Sequence, residues 1–191
     1  PDRESPRLPL AALAASGLEL VRVPVRTRSL REQVTLPVVA RRLRAELVHS
    51  PYPFTALAWP CPWVVTVHDT VPLDDRATLR SPLHRAVLRA WLRLAVVRAR
   101  LVLTPSQASA EGIVRRWPWA ESRLRVVPLA VDPRFRPAAP DAIRRARRRL
   151  GLDRPYVLCV APHRPHKNLS RLVEAWSALD PGDHRLVLVG R

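Results

Sequence analysis

Four short segments of this chain are apolar at nearly every position: WVVTVH (63–68), LVLT (101–104), YVLCVA (156–161) and RLVLV (185–189). A strand with no polar face has no side to offer water, so it belongs in a sheet covered on both faces. Helical spacing, not a hairpin signal, separates one run from the next. Successive strands joined through helices form βαβ units and a parallel sheet. The sequence therefore predicts an α/β fold.

Element by element, Leu18–Val23 (LELVRV) reads as a strand, followed by a helix over 30–45 and a short strand over 47–49. WVVTVH is next. A helix over His84–Arg98 has apolar residues at Val87, Leu88, Trp91, Leu92, Leu94 and Ala95. LVLT ends at Pro105, Ser106 stands at the N-cap of a helix that stops before Pro118, and 125–129 (RVVPL) is a further strand. Residues 128–140 carry four prolines and little periodicity, which marks a linker. A basic helix over 141–150 ends at Gly151, a residue suited to the left-handed C-terminal cap. Strand 156–161, helix 169–179 and strand 185–189 then begin a second parallel unit. The division is 1–132, a linker and basic helix over 133–154, and 155–191.

The chain has 191 residues and a formal net charge of +17. Such a charge raises nucleic acid or an anionic membrane as partners. The arginines are spread along the sequence and no aromatic residues interleave with them as stacking platforms, which argues against a nucleic-acid module. Peripheral contact with an acidic lipid surface stays open. Cys61 and Cys159 lie far apart without metal-ligand spacing, as expected of core thiols in a reducing compartment. LPLAALAAS (8–16) is a faint imitation of a signal-peptide core with no basic start before it, and no apolar run reaches membrane-spanning length. A cytoplasmic protein, soluble or peripheral, is expected. The absence of methionine and the abrupt ends suggest an internal piece of a longer protein.

Three places can carry chemistry. His68 and Asp69 follow a buried strand, at the sheet edge where ligands of open α/β sheets sit. His68 there can meet a sugar hydroxyl with Asp69 orienting it, or the pair can simply end the strand and cap a turn. Ser106 starts a helix after the next strand, either as a plain N-cap or as part of a cleft lining. The third is PHRPHKN (162–168). Lys167 is the only lysine and Asn168 the only asparagine, whereas every other cation among the 33 lysines and arginines is arginine. A compact ammonium before a helix start, at a strand's carboxyl end, can hold a phosphate in a pocket that admits no bulkier guanidinium fork, or it can be one surface lysine that survives by chance.

These pieces together resemble the family-4 retaining glycosyltransferases of the GT-B fold. HSPY (49–52) with PWVVTVHDTVPL (62–73) is similar to the family's acceptor-domain pattern. LVLTPSQASAEGIVRRW (101–117), RVVPLAVDPRFRP (125–137), YVLCVAPHRPHKNLSRLVEAWSAL (156–179) and RLVLVG (185–190) match later family segments in order, covering about Leu18 to Gly190. The resemblance implies two Rossmann-like domains, both incomplete in this chain, with a nucleotide sugar bound between them. Sugar would pass with retention to a glycan or lipid-linked acceptor, mannose being the commonest donor sugar and cell-surface polysaccharide the commonest product. No metal and no cofactor is implied, the nucleotide sugar being a substrate.

By the same resemblance His68 and Asp69 lie near the transferred sugar, and Lys167 contacts the donor diphosphate. Arg164 and His163 share that loop, while Ser106 and Asn168 line the cleft. The chain departs from the family at Ala161 and Ala130, where glycine is usual, at Pro162, which has no N–H to give a phosphate, and at Arg164, where an acidic residue is usual. The readings set against a transferase are a catalytically inactive or epimerase-like GT-B relative and, behind it, a basic nucleic-acid-binding module.

Overall fold

The computed structural model describes residues 16–27, 29–74 and 81–190. The stretch 8–16 lies outside them apart from Ser16. Helix α1 (Leu30–Arg42) is capped by Ser29, whose Oγ accepts from Glu32 N at 3.2 Å. There follow β1 (Val48–Ser50), β2 (Trp63–Thr66), the short α2 (Val71–Asp74), α3 (Pro82–Arg98), β3 (Leu101–Thr104), α4 (Gln107–Arg116), a 3-10 turn (Pro118–Arg123) and β4 (Leu124–Val126). The sheet is parallel throughout, in the order β1-β2-β3-β4, with Val48 opposite Trp63, Val64 opposite Leu101 and Val102 opposite Leu124. All four carboxyl ends therefore share one edge, where His68 and Ser106 stand.

Its core is built on one face. Trp63, Val65 and Val67 alternate along β2 and its extension, and with Val102 they pack against Leu92, Ala95 and Val96 of α3 and Ala110 and Ile113 of α4. Burying each of these larger side chains stabilises by about 1.5–3 kcal/mol. Val64 and Thr66, on the opposite face of β2, are half-buried. The unbroken apolar run thus overstates the cover: α3 and α4 seal one face, and the other is only half-buried at Val64 and Thr66.

Two further expectations are corrected. LELVRV forms no strand; Leu18, Leu20 and Val21 are all about half exposed. Apolar β-type residues specify an extended chain only when a neighbouring ladder accepts their N–H groups, and 18–23 joins no such ladder among the described residues. Neither cysteine lies in the core: Cys61 and Cys159 are unpaired and half-buried. Among the described residues no helix is long and apolar enough to cross a membrane.

Residues 127–139 hold no regular element and are exposed. Helix α5 (Pro140–Arg149) begins on proline, which suits a first helical turn, and is followed by Gly151 at φ +63°, the left-handed position that glycine takes without penalty. Strands β5 (Tyr156–Val160) and β6 (Arg185–Val189) pair in parallel from Tyr156 opposite Arg185 to Val160 opposite Val189, and α6 (Leu169–Ser177) connects them. Leu158 and Val160 are 52% and 71% exposed, so this second sheet, unlike the first, leaves its apolar strands open.

Candidate functional site

Past the end of β2, Val67 N still donates to Leu103 O at 2.8 Å, which carries the ladder to the residue before His68. The exposed His68 ring places Nε2 3.1 Å from Pro51 O. A carbonyl only accepts, so Nε2 carries the proton and Nδ1 of the neutral ring keeps its lone pair. The His68 carbonyl accepts from Ser109 Oγ at 2.9 Å. Pro51, just past β1, thus holds the imidazole, while the first turn of α4 holds the backbone that carries it.

Asp69 does not orient that ring. Its Oδ1 accepts from Val71 N at 3.0 Å, capping the turn into α2. A short side chain with a backbone N–H two residues on closes this local bond before it can reach a neighbour. Pro51 of the HSPY segment, not named there as a site residue, supplies the orienting oxygen.

Ser106 caps α4 from an extended backbone: its Oγ accepts from Ser109 N at 3.2 Å and donates to Ser109 Oγ at 3.1 Å. Ser106, Ser109 and the His68 carbonyl form one chain of hydrogen bonds. Ser109 is not singled out by its place in the sequence, because its reach to residue 68 depends on tertiary packing. Below it, Thr104 Oγ1 is buried and without a hydrogen-bond partner.

The loop after His68 is held tightly against α4. Thr70 is 7% exposed, and Arg116 Nη1 donates to its Oγ1 at 3.0 Å. Gly112 permits this approach, because a Cβ there would stand 3.1 Å from Thr70 Oγ1.

In the second sheet Ala161 N donates to Val189 O at 2.9 Å, closing the end of the β5–β6 ladder. A Cβ on Gly190 would collide with the Ala161 carbonyl oxygen, so only glycine lets the strand end pass the loop. The loop then folds on itself: Arg164 N donates to Pro162 O at 2.8 Å, and Pro165–Lys167 form a 3-10 turn in which Lys167 N donates to Arg164 O at 2.9 Å. Asn168 follows in the left-handed region at φ 50° and ψ 41°. Asparagine adopts that conformation more readily than other residues with a Cβ, which gives the unique asparagine a backbone reason. Its side chain makes no capping hydrogen bond to α6.

Helix α6 therefore presents its first N–H groups and its positive dipole end without a side-chain cap. His163, Arg164 and Lys167 stand exposed beside it. Among the described residues no carboxylate pairs with Lys167 or Arg164 in a salt bridge. Lone cations and open N–H donors at one helix start make an anion-binding arrangement. Also among the described residues, no group of three or more His, Cys, Asp or Glu side chains is placed to hold a metal.

Residues 4–135, more than half of the chain, match the family described as Glycosyltransferase Family 4. The chain belongs to that family. Among curated proteins none matches it. The match spans the first sheet with His68, Asp69 and Ser106, while the Lys167 loop lies beyond it. A glycosyltransferase domain takes a sugar donor and an acceptor, so the carboxyl edge of the first sheet belongs to a protein that handles sugars. A parallel α/β sheet of this kind is the Rossmann-like framework such a domain needs.

Proposed function

We propose that the chain is part of a sugar-nucleotide-dependent glycosyltransferase of GT-B architecture that transfers a hexose with retention. In this reading residues 1–132 belong to the acceptor-side unit, 133–154 are linker and basic helix, and 155–191 open the donor unit. The donor is a nucleotide diphosphate sugar of the GDP-mannose type and the acceptor is a glycan or a lipid-linked glycan, consistent with polysaccharide assembly at the cytoplasmic face of a membrane. The open apolar strands of the second sheet support a larger donor unit that covers them.

The observation that carries the reading is the uncapped start of α6 with Lys167 and Arg164 unpaired beside it. When a glycosidic bond to a diphosphate breaks, negative charge grows on the leaving phosphate. An ammonium and a row of backbone N–H groups fixed in advance stabilise that charge as it forms. His163 flanks the same loop, and Asn168 sets its exit angle into the helix. On the other unit His68, held through Nε2, offers Nδ1 as an acceptor for a sugar hydroxyl. Asp69 acts one step removed, by shaping the turn that follows.

Calorimetric titration of the full-length protein with nucleotide sugars tests this. Lys167→Ala removes a charge-assisted bond worth about 1.5–3 kcal/mol, so donor affinity falls about tenfold to 100-fold. Lys167→Arg loses affinity as well, since a guanidinium fork does not superpose on a point charge. Unchanged donor affinity in both variants would refute the assignment.

A further inference from the structure

Helix α3 is apolar on two sides. Leu88, Leu92, Ala95 and Val96 turn toward the sheet. Leu83, Val87, Ala90, Leu94 and Val97 recur at spacings of four, three, four and three residues, which places them on one stripe along the opposite side. All five are exposed: Leu83 is 74%, Val87 49%, Leu94 45% and Val97 42% accessible. Val87 and Leu94, two of the apolar residues that mark this helix in the sequence, thus face away from the core.

Arg89 and Arg93 run along one side of this stripe and Arg98 along the other. All three are exposed, and their side chains form no salt bridge or hydrogen bond among the described residues. The helix contains no aspartate or glutamate. A solvated helix face ordinarily carries polar residues; an apolar stripe edged with cations is the pattern of a helix lying in a lipid headgroup layer.

We propose that the outer face of α3 docks on an anionic lipid surface, with the leucine and valine stripe entering the headgroup boundary and the arginines pairing with lipid phosphates. Charge decides between occupants. The 4-3-4-3 spacing would also serve a helix from a second copy, but that arrangement sets arginine against arginine with no acid on either helix, in a chain of net charge +17. An acidic bilayer opposes neither feature. The stripe belongs to the unit covered by the family match, and its test is independent of Lys167.

Vesicle co-sedimentation of the chain reads the proposal, using phosphatidylcholine alone and phosphatidylcholine mixed with phosphatidylglycerol. The wild type binds the anionic vesicles and is weak on the neutral ones. Leu83→Ser with Val87→Ser and Leu94→Ser keeps the net charge and lowers partitioning by more than about tenfold. Arg89→Gln with Arg93→Gln and Arg98→Gln lowers it by about 100-fold on the anionic vesicles. Circular dichroism checks that each variant is folded, and Leu94→Ser alone serves if the triple variant is not. Binding that ignores the serine substitutions would show diffuse charge attraction and overturn the proposal. So would a dimer in light scattering that Leu94→Ser disperses, which would assign the stripe to a second copy.

Discussion

Replacing Gly112 with alanine tests how tightly α4 and the loop after His68 are fitted. In an exposed helix interior the change stabilises by about 1 kcal/mol, because alanine loses less backbone entropy. Here the new Cβ would sit 3.1 Å from Thr70 Oγ1, inside ordinary contact. Thr70 cannot yield cheaply: it is buried, its rotamer is stiff through β-branching, and Arg116 holds its hydroxyl at 3.0 Å. Overpacking of this kind costs about 1–3 kcal/mol, so the net result is a loss of about 1 kcal/mol where a gain would be usual. Thr70→Ala removes the opposing hydroxyl, and in that background Gly112→Ala should stabilise by about 1 kcal/mol. The coupling between the two sites is then about 2 kcal/mol, within the range for residues in contact. Urea unfolding midpoints of the four proteins at constant slope measure it. Gly112→Ala effects of equal size in both backgrounds would refute the steric argument.

Two other substitutions probe the sheet edges. Ser106→Ala should lower stability by about 1 kcal/mol through loss of the α4 cap, with Ser106→Asp restoring most of it, as urea unfolding will report. Gly190→Ala drives a Cβ into the Ala161 carbonyl. Hydrogen exchange at the Ala161 amide, which pairs with Val189 O, should then quicken by about tenfold or more; unchanged exchange would mean that the loop adjusts without strain.

Where local chemistry decides a structure, the residues announced it. LVLT and RLVLV are strands at their expected limits, Ser106 caps the expected helix, and Gly151 terminates α5 in a left-handed conformation. LELVRV misled because a strand is a relation between two segments, and no pattern within one of them supplies the other. The same holds for the site. That His68 and Ser106 stand at strand ends was readable, since order and parallel topology put them there. That His68 leans on the Pro51 carbonyl, and that Asp69 turns to Val71, depends on where β1 ends relative to β2. Val87 and Leu94 show the limit from the other direction: a helix apolar on two sides gives no sign in its own sequence of which side meets the sheet.

The solitary exposed lysine has a practical consequence. Succinimidyl esters acylate amines and leave guanidinium groups untouched, so the chain carries a single ε-amine for such a reagent, Lys167, amid 33 lysines and arginines. Its acylation rate, followed as one mass increment on one peptide, becomes a direct gauge of whatever occupies the start of α6. A bound diphosphate would shield the amine and slow the reaction, with no engineered label and no competing side chain to subtract.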